Sequence, residues 1–506
     1  MIANNYKGIF TAYKSNLLLE SKVRTYFFWI LLVAVQSVWI ANSDGFYFID
    51  DSSHYNFNRH YIEQADQSIG AWHRMGRVLL FALPAQFGLK GVQIASAILF
   101  IITIYFAYKI LRHKNVRYAE WVIPIIGFQP VLFNVSYTSL AELPAAFLIV
   151  LAFYMYLKEK PEWTLVTASL VFLFRTEYYY VAGLFVLIYA VQKKWKILPY
   201  VLVGPLLWYL YTTLITLNPA QFFYDMTLHS RLPKIDTGVD WYYYLLHSAK
   251  IYGFLQAIFF VTGAVILAFK KQLKDYALIL IIVFAGIFIQ TLFALKELNL
   301  TCSIGQLRYI AVVGPMFGIV SVAGISFLFD SIKLNILRNG LITVILLAMF
   351  ALGPYSTPYH NKFAIEKVSD DITGLASKNY PEYMVLSNMH PLANAMDEPQ
   401  TGGDRFKTLT QSNVEKYNKV LIVWCSYLEG SPFVNENVTL DEITSIHNIK
   451  LIKEYKDTVN NCFSSPMYLK YRKEGDEYKS SRKFIDYLIA DQTTWETIDI
   501  RVFLKE

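Results

Sequence analysis

Residues 23–63 read VRTYFFWILLVAVQSVWIANSDGFYFIDDSSHYNFNRHYIE, and the fold turns on this stretch. Between Val23 and Asn42 the one charged residue is Arg24, at the very start. A helix needs about 20 apolar residues to cross a hydrocarbon core of about 30 Å. Directly behind it come two adjacent carboxylates, Asp50 and Asp51. The mostly polar residues ahead of the span argue for a signal anchor over a cleaved signal peptide. Residues 23–63 thus read as a membrane crossing with an acidic pair at its exit.

The rest of the chain agrees. Of 506 residues, 55% are hydrophobic and 17% charged, where soluble domains carry about a quarter charged. Mean hydropathy is +0.33. This excludes a disordered chain, a disulfide miniprotein and an ordinary cytosolic enzyme. Further clear spans are 92–111, 140–157, 197–217, 251–269, 276–295 and 308–329; weaker ones are 119–134, 164–174, 178–192 and 340–354. The expected fold is an α-helical polytopic membrane protein with about 11 transmembrane or re-entrant helices over residues 1–354. Arg175, Thr176 and Glu177 interrupt two short runs, as a broken or re-entrant pair would require.

Charge sets the expected orientation. Residues 1–354 hold 28 Lys and Arg against 17 Asp and Glu; residues 355–506 hold 18 against 22. Short basic turns, such as Arg112 to Arg117 and Lys193 to Lys196, fall in alternate loops, so the N-terminus reads as cytoplasmic. The basic excess then reflects topology, with no nucleic-acid partner implied. Residues 43–91 and 218–250 become external loops, and 355–506 becomes a small C-terminal α/β or α+β extracytoplasmic domain. Its expected strands are 383–387, 419–424, 449–455 and 467–471, with a helix at 361–378. Cys425 and Cys462 both fall outside in this arrangement, where a disulfide is permitted.

The candidate chemistry lies on that outer side. Asp50 or Asp51 can take a proton from a substrate hydroxyl as a general base; the plainer reading is a solvated pair at a helix start, with Ser52 or Ser53 as cap. His54, Asn58 and Tyr61 would share one helical face. Arg74 and Arg77 are spaced to share a face and suit a phosphate, though interfacial anchoring explains either one alone. Arg175 and Glu177 sit where ionisable groups are costly, which marks them as functional candidates, with mutual pairing as the structural alternative. Glu142 and Arg308 each begin a span from the same side, and His73 lies in the first external loop. Together these residues describe an outward-facing polar site beside lipid. Walker, His-Glu-x-x-His and Gly-x-Ser-x-Gly motifs are absent.

The ordered set of Asp50-Asp51, RMGRVLLFALPA (74–85), FRTEYYYVAGLF (174–185) and QLRYIAVVGP (306–315), with an external tail, resembles the GT-C superfamily of polytopic glycosyltransferases. That superfamily includes protein O-mannosyltransferases, lipid A aminoarabinose transferases and enzymes using polyprenyl-phosphate sugars. The resemblance covers most of residues 20–354. It implies a polyprenyl-phosphate-linked sugar as donor, a glycolipid, glycan or protein acceptor, and an Asp base in the first loop. A common family form is Asp-Glu where this chain has Asp50-Asp51, which leaves both open, with Asp50 favoured. Arg74, Arg77, Arg175 and Arg308 would hold the donor phosphate; His54, His73, Glu142 and Glu177 would meet the substrates. No cofactor is required on this reading, and two adjacent carboxylates alone do not make a Mg²⁺ cage. The expected location is the bacterial inner membrane. Rival readings are a secondary transporter or flippase of lipid-linked sugars, and a polysaccharide polymerase or ligase.

Overall fold

The computed structural model describes residues 2–47, 49–69, 74–231, 240–295, 306–357, 359–426, 438–461 and 495–506. Among these, six helices are long and apolar enough to cross a membrane: 21–42, 88–113, 195–216, 273–294, 307–331 and 336–356. Five shorter apolar helices accompany them, at 75–85, 142–157, 161–173, 176–191 and 254–269. The chain is an integral membrane protein.

The first span shows how the bundle is built. It ends α1 (Ile2–Asn42) and buries Phe28, Leu32, Val35 and Trp39, while Val23, Tyr26, Phe27, Ile30 and Val33 are exposed. The buried set recurs at helical spacing, and the outer set is as apolar as lipid requires. The helix at 307–331 lies at the centre and is mostly buried. It packs closely on Phe254–Phe269 because both are notched by glycine: a Cβ on Gly324 would stand 2.2 Å from the Phe259 carbonyl oxygen.

The stretch 119–134 is not one continuous span. It forms two short buried helices, Val122–Gly127 and Pro130–Val135. Pro130 has no N–H to give and holds Gln129 extended (φ −69°, ψ 122°). The polar groups freed at this break are met from neighbouring helices: Gln256 donates to the Phe128 carbonyl at 3.1 Å, and Gln129 donates to that of Gly314 at 2.9 Å.

The tail is a five-stranded mixed sheet. β1 (Met384–Ser387), β2 (Phe406–Thr408), β3 (Val420–Cys425), β4 (Ile449–Asn461) and β5 (Trp495–Lys505) lie in the order β2-β1-β3-β5-β4. β1 is parallel to β2 and β3, while β5 is antiparallel to β3 and β4. The expected helix appears at Ala364–Asn379, with Ile365, Val368, Ile372 and Ala376 buried against the sheet. The expected strand at 467–471 and Cys462 lie outside the described residues; Cys425 is buried.

Candidate active site

The acidic pair opens α2 (Ile49–Arg59), one turn earlier than a cap at Ser52 or Ser53 would place it. Carboxylates in a first helical turn are favoured by the exposed N–H groups there. The two then diverge. Asp51 is 1% exposed; one of its oxygens accepts from the backbone N–H of Ser139 at 2.8 Å and its hydroxyl at 2.6 Å, and the other from the Tyr47 N–H at 3.1 Å. Burial pushes the Asp51 carboxyl up, against the pull of those donors and of Arg308. The Asp50 side chain keeps 23% exposure and pairs with Arg308 at 2.5 Å.

From Asp50 a single run of ionic contacts crosses the site. Arg308 also reaches Glu142 at 3.3 Å. The same Glu142 oxygen accepts from Arg175, which pairs in turn with Glu177 at 2.9 Å. Glu177 then meets Arg74 at 3.6 Å. The Arg175 guanidinium carbon lies 4.4 Å from the centre of the Tyr309 ring and that of Arg308 lies 5.5 Å from it, so one aromatic ring supports two cations. Tyr178 fixes that residue by donating to its carbonyl at 2.6 Å.

Six residues from five separate segments thus converge because each opens or precedes a helix at the same end of the bundle. Asp50 begins α2, Glu142 begins Glu142–Leu157, and Arg308 begins the central span. Arg175 sits extended (φ −144°, ψ 94°) in the break between 161–173 and 176–191. Arg74 precedes Met75–Ala85 with a left-handed φ of 58°.

That turn separates two residues whose spacing suggested a common face. Arg74 faces Thr176, at 3.0 Å, and Glu177. Arg77, fully buried, donates instead to the His54 carbonyl and to Asn58, both at 3.0 Å. His54 is buried on α2; Tyr61 falls beyond the helix, and His73 lies outside the described residues.

Several contributors carry no sequence signal of their own. Ser139 holds Asp51, and Tyr309 holds the arginines. The tail supplies His390, which opens the helix His390–Ala395. Burial depresses its imidazole to about 4, the Asp50 charge opposing, so it is neutral at ordinary pH. The tail segment that follows docks on α2. Asn394 donates to the Ser52 carbonyl and hydroxyl at 2.9 and 2.8 Å, Asn56 donates to the Glu398 carbonyl at 2.8 Å, Ser53 donates to Gln400 at 2.8 Å, and Arg59 grips Asp397 through two 3.0 Å bonds. Among the described residues, no three His, Cys, Asp or Glu side chains gather as a metal cage.

No protein-family model matches this chain, and no curated protein matches it in sequence. Solved structures do match in fold. The crystal structure of ArnT from Cupriavidus metallidurans bound to undecaprenyl phosphate superimposes with a TM-score of 0.56 at 13% identity, over 80% of this chain and 95% of that one. The apo form of that protein gives 0.55 at 13% identity, over 78% and 92%. The chain therefore shares the fold of ArnT, the polytopic architecture its apolar runs lead one to expect.

Proposed function

We propose that this chain is a membrane glycosyltransferase moving a sugar from a polyprenyl-phosphate donor to a hydroxyl acceptor on the extracytoplasmic face. The observation carrying this reading is the run Asp50–Arg308–Glu142–Arg175–Glu177–Arg74: a partly exposed carboxylate abutting a row of buried guanidinium groups. The fold of a protein solved with undecaprenyl phosphate supports the lipid-phosphate donor.

In the mechanism, Arg308, Arg175 and Arg74 receive the donor phosphate, and Asp50 faces the acceptor. Asp50 takes the hydroxyl proton as that oxygen bonds to the anomeric carbon. The bond from the anomeric carbon to the phosphate oxygen breaks on the opposite face, so the product is inverted. The leaving polyprenyl phosphate is an anion, and guanidinium groups already in place stabilise it without a general acid. Glu142 and Glu177 keep those groups aligned. Asp51, saturated by three donors, holds Ser139 and the start of α2 in place, which favours Asp50 as the base. The tail, docked on α2, forms the acceptor side.

The test is purified protein in nanodiscs supplied with radiolabelled polyprenyl-phosphate monosaccharides and a membrane glycolipid extract. The expected result is sugar in an acceptor product with free polyprenyl phosphate released. Movement of the donor across a sealed vesicle with no product would instead establish the flippase reading.

A further inference from the structure

β1 is the middle of three parallel strands, and the chain leaving its carboxyl end carries His390. In open α/β sheets ligands bind outside the carboxyl ends of such strands. Here the exit is fixed by its own hydrogen bonds. The Ser387 hydroxyl donates to the Val423 carbonyl and accepts from the Met389 N–H, both at 3.0 Å, and Asn388 donates to the Cys425 carbonyl at 3.3 Å. His390 then opens the helix His390–Ala395.

Docking on α2 sets where that helix starts. Asn394 donates to the Ser52 carbonyl and accepts from Asn56, both at 2.9 Å, and three residues on Asp397 meets Arg59. The tail segment and α2 therefore run in the same direction. His390 shares the Asn394 face one turn earlier, roughly 6 Å back at the helical rise. That step leads from Ser52 toward the start of α2, where Asp50 stands. The Asp50 charge acts on the imidazole, which burial keeps neutral at ordinary pH. The residue is partly exposed, and neither ring nitrogen has a hydrogen-bond partner among the described residues.

A neutral imidazole offers one N–H donor and one acceptor nitrogen. A hydroxyl, itself donor and acceptor, matches either. An anionic group would gain no charge from the ring and would be repelled by the Asp50 carboxylate. A sugar ring carries neighbouring hydroxyls, so one can meet Asp50 while the next meets the imidazole.

We propose that His390 binds the acceptor and that the acceptor is a sugar, whose reacting hydroxyl faces Asp50 while the adjacent hydroxyl bonds to His390. This rests on the transferase reading above. The proton still passes to Asp50; His390 takes none, and holds the ring so that the attacking oxygen is aimed at the anomeric carbon.

Wild type, His390→Ala and His390→Gln are assayed in nanodiscs with a labelled polyprenyl-phosphate sugar and a membrane extract containing glycolipid and protein, each varied separately. His390→Ala should raise the apparent KM for the extract about tenfold or more, with donor KM and saturating kcat held within about twofold. His390→Gln, which keeps a donor and an acceptor, should fall between. The product should withstand mild alkaline β-elimination, which frees sugars from Ser and Thr. A merely structural role would lower kcat by inactivating part of the protein. An unchanged KM for the extract, or a loss confined to kcat, would therefore overturn the assignment to His390. Release of the sugar by β-elimination would overturn the sugar acceptor. No product from wild type with any donor would fail the transferase reading itself, and this inference with it.

Discussion

Glu142 is the keystone of the ionic run, and replacing it with Gln gives a measurable consequence. The side chain is 1% exposed and one oxygen serves both Arg175 and Arg308. At 3.3 Å, and with an effective dielectric of 20, one such contact is worth about 5 kcal/mol before desolvation. Both arginines keep another carboxylate, Glu177 or Asp50, so only part of that is lost. Breaking a buried pair costs about 3–5 kcal/mol, and Glu142→Gln should fall near the lower end, about 3 kcal/mol. The assay is reversible unfolding by SDS titration of wild type, Glu142→Gln, Arg308→Gln and the double variant. Their double-mutant cycle should give a coupling of about 1 kcal/mol or more. A Glu142→Gln protein within about 0.5 kcal/mol of wild type, with no coupling to Arg308, would refute the keystone role.

Asp51→Asn should cost about 1–3 kcal/mol in the same titration, because an amide N–H₂ must face a backbone or hydroxyl donor. Gly324→Ala should cost about 1–3 kcal/mol, since the clash is with the Phe259 carbonyl and the Gly263 nitrogen at 3.0 Å, both backbone; thermal unfolding in nanodiscs reads it. Glu366, buried at the start of the tail helix, is pushed up to about 8 by burial, with Asp44 adding to the rise and Lys362 opposing it. The folded tail therefore binds a proton that the unfolded chain has released. Stability should fall as pH rises from about 4.5 to 8, by at most about 1.4 kcal/mol per pH unit. Glu366→Gln should flatten that slope, as melting across the range will show. Transfer should continue undiminished in chelator, the cations being arginines; a rate restored by Mg²⁺ or Mn²⁺ after stripping would contradict that.

What was legible in the sequence was what lipid or desolvation forces into the open. Apolar runs cannot hide, so the spans at 23–42, 92–111, 276–295 and 308–329 all have helices in place. Arg175 and Glu177 stood out because charge inside an apolar run needs a reason. The hidden part depends on uncharged groups meeting through space. Pro130 breaks 119–134, but only Gln256 and Gln129 explain how the break is tolerated. Ser139 looks like any loop serine until it closes on Asp51. The left-handed turn at Arg74 sends it and Arg77 apart, which their three-residue spacing concealed. β2 has only three residues, too short for alternation to show, and the docking of Asn394 and Gln400 on α2 joins residues more than 300 positions apart.

The central claim is that Asp50 removes the acceptor proton. It is tested most directly by single-turnover sugar transfer with Asp50→Asn and Asp51→Asn, each first shown to be folded and to bind polyprenyl phosphate as wild type does. The account predicts that Asp50→Asn loses about 10²–10⁴-fold in rate while Asp51→Asn retains turnover. Wild-type rates from Asp50→Asn, with loss confined to Asp51→Asn, would contradict it.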